Sequence, residues 1–372
     1  MKIGIEGRTL QGRRYGVARY TQNLLCQFVE IDPDSEYIVY LSEDIEPLGF
    51  SSSSLRLEVI GSERIPLAWR HIHLPLAMRQ ESVDLHFSPS YFLPVFTVCP
   101  SIDVVHDLYF KAHPEWFVRD KRMRFDDLFW RVVKKADRII TVSEHSKKEI
   151  ERFLAIDPDR VSVIYEAADE RFEPLRDEAL LASVRRKYGL DEGFLFTAGS
   201  IHTRRNLEGL IDAVGRAGRE MGGVSDTLHP GYAGPVQSAG GHRAGRGVGG
   251  PGRKGHPQGV RVRGRDAAPV QRVRHVCLPF DIRWVGLPVI EAMACGAPVA
   301  CSNVTSLPEM GGDAVVYFDP MDVEGMAGAI SRVMSDDALR ESLSEAGIRR
   351  AATFSWRRAA EETLVVFNEV AR

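Results

Sequence analysis

The chain has 372 residues, with 48 basic against 51 acidic side chains and a formal net charge of −3. That length predicts two domains at roughly 150 residues each, and the near-neutral balance argues against a dedicated nucleic-acid binder, which carries a basic domain or stripe. Hydrophobic residues at 44% and aromatics at 9% describe an ordinary globular protein and not a disordered or fibrous one. The five cysteines, Cys26, Cys99, Cys277, Cys295 and Cys301, are odd in number and too scattered for a disulfide framework or a Cys-x-x-Cys metal site. A reducing cytosol is therefore expected. Met1 to Gly7 lacks the apolar core and cleavage site of a signal peptide. No window approaches the ~20 apolar residues of a membrane-spanning helix, which leaves a soluble chain with at most a contact along a membrane surface.

In the first half, short apolar strands alternate with amphipathic helices. Ile3-Gly4-Ile5 reads as a strand, followed by a loop carrying Gly12 and Gly16 and a helix from Val17 to about Val29. Val83-Asp84-Leu85-His86-Phe87 and Ile102-Asp103-Val104-Val105 are further strands, the second ending at His106-Asp107. Phe125, Leu128, Phe129, Val132, Val133 and Ala136 recur at helical spacing. Ile139-Ile140-Thr141-Val142 is a buried strand, Ser143 is placed to cap the next helix, and Val161-Ser162-Val163-Ile164 closes this half. Such alternation predicts a largely parallel sheet covered on both faces.

A polar stretch from about Glu173 to Glu192 leads to a second α/β half. Phe194 to Ala198 is its opening strand, and Leu207, Leu210, Ile211 and Val214 line one face of the helix that starts at Asn206. Pro288, at a first-turn position, enters an apolar helix over Val289 to Ala294 that Gly296 ends. Val299-Ala300 starts another strand, and Ser355 caps a last amphipathic helix running from Trp356 towards Val370. Between these landmarks the pattern breaks. Residues 221–283 hold 14 glycines and ten Lys or Arg against three Asp, with almost no apolar periodicity. A disordered basic linker fits that composition, and so does a basic patch for nucleic acid or lipid headgroups. Both need a reason to interrupt an α/β domain halfway.

Four places could carry chemistry. Gly12-Arg13-Arg14-Tyr15-Gly16 joins a strand to a helix start, where free backbone N–H groups attract anions; an ordinary tight turn accounts for its glycines as well. His106 sits at a strand's C-terminal end, the edge at which ligands bind in open parallel sheets, although an isolated histidine is also a common structural residue. Arg204 and Arg205 precede a helix N-terminus, where adjacent guanidiniums suit a diphosphate better than a solvated pair of like charges. Glu291 stands in an otherwise apolar helix, where a carboxylate is costly unless donors satisfy it. A ribose diol supplies two such donors, and a structural ion pair is the alternative.

Together these segments resemble the group 1 family of retaining glycosyltransferases, over residues 1–220 and 286–372. The markers are Tyr15-Gly16-Val17-Ala18-Arg19-Tyr20, Val105-His106-Asp107-Leu108, His113-Pro114-Glu115-Trp116, Ala136 through Glu144, and Gly199 through Leu207. The most specific is Gly286-Leu287-Pro288-Val289-Ile290-Glu291-Ala292-Met293-Ala294-Cys295-Gly296-Ala297-Pro298-Val299, and Ser306-Leu307-Pro308-Glu309 and Phe354-Ser355-Trp356 complete the set. The resemblance implies the GT-B fold, an α/β architecture of two Rossmann-like domains facing across a cleft. An N-terminal acceptor-binding domain would occupy 1–175 and a nucleotide-sugar-binding domain 190–354, with a helix over 355–372 packing back on the first. It also implies that His106 is the active-site histidine near the transferred sugar. Arg204 and Arg205 would contact the diphosphate, and Glu291 would be the second glutamate of an E-x7-E motif, holding the ribose. Gly16, Gly286 and Leu287 would complete the donor site.

Two departures from the family stand out. Arg283 occupies the position of the first acidic residue of that motif, and Glu166-Ala167-Ala168-Asp169 replaces the usual Asn-Gly before Val-Asp. The first has an explanation at the level of codons. Val270 to Val285 can be back-translated so that reading one base later gives Tyr-Ser-Ala-Ser-Asp-Met-Phe-Val-Phe-Pro-Ser-Thr-Tyr-Asp-Gly, the family's segment before E-x7-E, with an Asp at position 283. Residues 221–285 are therefore expected to be translated out of frame and disordered, leaving the second domain disrupted. The implied reaction is transfer of a sugar, by preference mannose, from a GDP- or UDP-sugar to a glycan or lipid-linked acceptor with retention, in cell-surface polysaccharide biosynthesis. No cofactor, metal or nucleic acid is implied, and the location is the cytoplasm, with room for peripheral contact with the membrane's inner face. An inactive or impaired glycosyltransferase-like product is the competing implication. A GT-B phosphorylase or epimerase would share the fold, and a nucleic-acid module built on 221–283 is the remotest alternative.

Overall fold

The computed structural model describes residues 1–12, 16–61, 66–113, 127–175, 177–188, 194–197, 206–220, 227–230, 261–262 and 286–371. The chain divides into two compact units, Met1–Glu166 with Ser355–Arg372, and Ala167–Phe354.

The first unit is built on seven strands: β1 Lys2–Glu6, β2 Glu36–Leu41, β3 Leu55–Val59, β4 Leu85–Ser88, β5 Ser101–Val104, β6 Arg138–Thr141 and β7 Val161–Val163. Their order is β3-β2-β1-β4-β5-β6-β7, and every pair is parallel. Interior strands of a parallel sheet are covered on both faces, which is why Tyr37 to Leu41 form an unbroken buried run. β3, at the edge, leaves Leu57 and Val59 exposed. The strand order reverses between β1 and β4, so the carboxyl ends of β1, β4 and β5 open onto the crevice where such sheets bind ligands.

One face of this sheet is covered by two long helices. Helix Val17–Ile31 buries Tyr20, Leu24, Leu25 and Phe28 at helical spacing. The last helix, Trp356–Val370, inserts Phe367 between Phe28 and Phe87, with ring centroids at 5.4 and 5.0 Å. Its first turn is capped by Ser355, whose Oγ accepts from the Arg358 N–H at 3.3 Å. Ser143 caps helix Glu144–Leu154 in the same way, accepting from the Ser146 N–H at 3.0 Å. A helical run over Pro66–Gln80, with a π turn at Trp69–His73, covers another part of the sheet. The Trp69 indole is fully buried there and donates to the Leu41 and Ile60 carbonyls at 3.3 and 2.6 Å.

The second unit carries two smaller parallel sheets. β8 Leu195–Thr197, β9 Thr227–Pro230 and β10 Arg261–Val262 run in the order β10-β9-β8, and β11 Ala300–Ser302 pairs with β12 Val316–Phe318. A shared core joins them. Leu210, Ala213, Val214 and Ala217 on helix Leu207–Glu220 pack with Met326, Ile330 and Val333 on helix Val323–Ser335 and with Leu195, Ala300 and Phe318 from the strands. Within 221–285, where a disordered segment is expected, the described stretches at Thr227–Pro230 and Arg261–Val262 are strands, the first paired with β8 and the second with the first, through backbone hydrogen bonds that need no side-chain pattern. The rest of that segment lies outside the described residues.

Candidate active site

β5 ends at Val104 and places His106 just beyond the carboxyl edge of the first sheet. Its backbone is fixed from two sides: the Thr141 hydroxyl donates to the Val105 carbonyl at 2.7 Å, and the Ser146 hydroxyl donates to the His106 carbonyl at 3.0 Å. The side chain is buried, at 6% exposure. Its Nε2 lies 2.9 Å from the Pro89 carbonyl oxygen and its Nδ1 lies 3.4 Å from Glu166 Oε1, itself at 3% exposure. The Tyr20 ring meets the imidazole edge-on at 4.9 Å, and the Tyr91 ring stands at 6.3 Å. Burial opposes a charge on His106, but the Glu166 carboxylate, the Pro89 carbonyl and Asp107 together hold it above the ordinary histidine value.

Gly16 precedes helix Val17–Ile31 with φ 45° and ψ −109°, a conformation that glycine alone adopts without strain. Arg13, Arg14 and Tyr15, the middle of that loop, lie outside the described residues.

A second polar cluster occupies the same sheet edge. Glu6, at the end of β1, accepts from Arg8 Nε at 2.6 Å in a buried ion pair. The Arg8 guanidinium lies over Trp69 at 4.5 Å, and the Arg70 guanidinium lies over the Phe92 ring at 4.3 Å. Burial and the neighbouring Arg8 charge lower Arg70 to about 10. Burial pushes Asp103 on β5 up to about 8, against the pull of Ser88 and Arg70. None of these four residues has a motif to announce it, and sequence reasoning missed them.

In the second unit, Gly286 caps helix Leu287–Ala294 at φ 79° and ψ 17°. A Cβ there would also meet Met310 Cγ at 2.8 Å, so the position requires glycine twice over. Val289, Ile290, Ala292 and Met293 are buried, while Leu287 and Glu291 lie half-buried. Spaced four apart, these two share one edge of the helix. The apolar sequence surrounds Glu291, and the helix turns it to the partly open side. Its charge is still felt within the core, where the Cys295 thiol is pushed up to about 12 by burial and then by Glu291 and Glu173. Asn206 accepts from the Gly209 N–H at 3.3 Å and donates to the Pro320 carbonyl at 2.8 Å, anchoring the start of helix Leu207–Glu220. Arg204 and Arg205, just before it, lie outside the described residues, as does Arg283. Among the described residues no three His, Cys, Asp or Glu side chains gather as a metal site, and no helix is long and apolar enough to cross a membrane.

Residues 15–172 match the family model for Glycosyltransferase Family 4, and residues 273–350 match that for Glycosyl transferases group 1. The chain thus carries a Glycosyltransferase Family 4 domain followed by a Glycosyl transferases group 1 domain. It is 29% identical over 291 residues to the O-antigen chain mannosyltransferase B of Escherichia coli, covering 77% of this chain and 75% of that one. It is 27% identical over 290 residues to the serotype-specific mannosyltransferase WbdA of the same species, of which it spans 34%. HepE of Anabaena, solved in complex with UDP-glucose, superimposes with a TM-score of 0.70 at 14% identity, covering 99% of this chain and 100% of that one. That likeness establishes the GT-B fold.

In this glycosyltransferase the family 4 match takes in Gly16, His106 and Glu166, and the group 1 match takes in Gly286, Leu287 and Glu291. Arg204 and Arg205 fall between the two. Glu166 was visible in the sequence only as a departure from the usual Asn-Gly. The structure turns that departure into a contact with the histidine.

Proposed function

We propose that the protein transfers mannose from a nucleotide-sugar, GDP- or UDP-linked, to a glycan or lipid-linked acceptor with retention at the anomeric carbon, in the synthesis of a cell-surface polysaccharide. The observation that carries this reading is the similarity to the Escherichia coli mannosyltransferase B, which extends over three quarters of both chains. Arg204 and Arg205 neutralise the leaving diphosphate, Gly286 and Leu287 admit the nucleotide to the helix start, and Glu291 holds the ribose diol. His106 acts at the sugar end of the donor. The reaction takes place in the cytoplasm, against an acceptor in solution or at the membrane face. Incubation with a panel of GDP- and UDP-sugars and a mannan acceptor, with the product's anomeric configuration read by NMR, tests this. An inverted product or transfer of a different sugar overturns the corresponding part.

The donor assignment makes a sharper prediction. In the frame-restored protein, Arg205→Ala weakens binding of the nucleoside diphosphate by about 1.5–3 kcal/mol, the scale of a charged hydrogen bond, and leaves the circular-dichroism spectrum unchanged. Unaltered affinity by calorimetry removes the residue from the site.

One observation favours a second reading, an impaired glycosyltransferase-like product. The two family matches leave 173–272 unclaimed, and that interval holds most of the glycine-rich, basic segment. Restoring the frame across 221–285, so that Asp replaces Arg283, is expected to raise transfer from near background. A mannosyltransferase rate that is the same in both versions overturns the frame explanation.

A further inference from the structure

With Glu166 ionised, the contacts of His106 do not balance for a neutral ring. The Pro89 carbonyl at Nε2 can only accept a hydrogen bond, and so can an ionised Glu166 at Nδ1. A neutral imidazole has one N–H and leaves one of these contacts acceptor against acceptor, in a site closed to water. Both are satisfied when the ring carries two protons. We propose that Glu166 is the positioning residue of His106: its buried carboxylate, reaching in from the exit of β7, holds the ring as an imidazolium with both N–H groups engaged.

This rests on the reading of His106 as the active-site histidine. It also gives that histidine a definite role, that of a fixed positive charge at the sheet edge and not a base that exchanges protons with the sugar. The surroundings agree from every side. Tyr20 from helix Val17–Ile31 and Tyr91 from the β4–β5 connection pack on the ring with their aromatic edges and faces, and Asp107 and Asp103 lie in the β5 segment. Ser146 from helix Glu144–Leu154 holds the backbone, and Trp356 from the last helix packs on the far side of Tyr20 at 5.9 Å. Tyr20 is pushed well up by burial and then by Glu166, and Asp103 is pushed up to about 8 by burial. Glu166 and Asp107 are the carboxyl groups that act on the ring. Glu166 is also the last residue of the first unit before the chain passes into the second.

The test uses the full chain with nitrogen-15-labelled histidine. In the wild type both ring nitrogens of His106, assigned by comparison with His106→Gln, give imidazolium shifts at pH 7. In Glu166→Gln the amide can donate to Nδ1 and the ring relaxes to the neutral Nε2–H form, its titration midpoint falling below that of the wild type. Glu166→Asp restores part of the shift. In the frame-restored enzyme, Glu166→Gln lowers kcat about ten- to hundredfold, the kinetic equivalent of one charged hydrogen bond, with the donor KM unchanged and the pH profile displaced in step with the NMR midpoint. A neutral His106 in the wild type at pH 7 overturns the proposal even if Glu166→Gln fails to fold, and so does a His106 titration that is identical in wild type and Glu166→Gln. Failure of the underlying reading looks different: the NMR shifts stand, but His106→Ala turns over normally.

Discussion

In the frame-restored enzyme, His106→Ala is expected to lower turnover by about 10²–10³-fold, the cost of removing one preorganised charge from a transition state, while nucleoside-diphosphate affinity stays within error of the wild type. The split follows from position. His106 lies at the carboxyl edge of the first sheet, whereas Arg204, Arg205 and Glu291, assigned to the diphosphate and ribose, belong to the second unit. The substitution also strands Glu166, buried without its partner, at about 1–3 kcal/mol, so rates must be expressed per folded molecule. The sign of the pH effect is fixed by the raised ionisation of His106. Its contribution to stability is full below the ordinary value of 6.5 and is lost as pH rises through the higher folded-state value. His106→Ala therefore loses that pH dependence along with its activity. Equal loss of stability and activity, with normal turnover per folded molecule, would instead mark the histidine as structural.

Phe367→Ala should destabilise the first unit by about 3–5 kcal/mol, the usual range for truncating a fully buried phenylalanine. The ring is wholly buried and tilted against both Phe28 and Phe87. Urea unfolding followed by tryptophan fluorescence reads this as an early loss of the Trp69 and Trp130 signal, both tryptophans being buried in the first unit. A shift under about 1 kcal/mol would mean that the last helix contributes little to that core, since a substitution away from packed features costs no more than this.

Much of the fold was legible because its signals are short-range. Alternating strand and helix patterns located β1 and β4 to β8 within a residue or two, Ser143 and Ser355 cap the helices they precede, and Pro288 enters the first turn of its helix. β2 and β3 were passed over. Glu36 to Leu41 is a nearly continuous apolar run with no alternation to mark it, and β3 is a half-exposed edge strand with two charges.

The amino-acid sequence by itself determined the α/β class and marked Gly16, His106, Gly286 and Glu291 as candidates, because each belongs to a contiguous motif. Only the tertiary structure decided what surrounds them. The order of the strands brings Glu6, Arg8, Arg70 and Asp103 to one sheet edge, and the exit of β7 carries Glu166 to His106. The physical reason is range. A cap or an amphipathic face is settled within one or two turns of chain, whereas burying a carboxylate beside a histidine depends on parallel strands meeting in a register that no local pattern encodes.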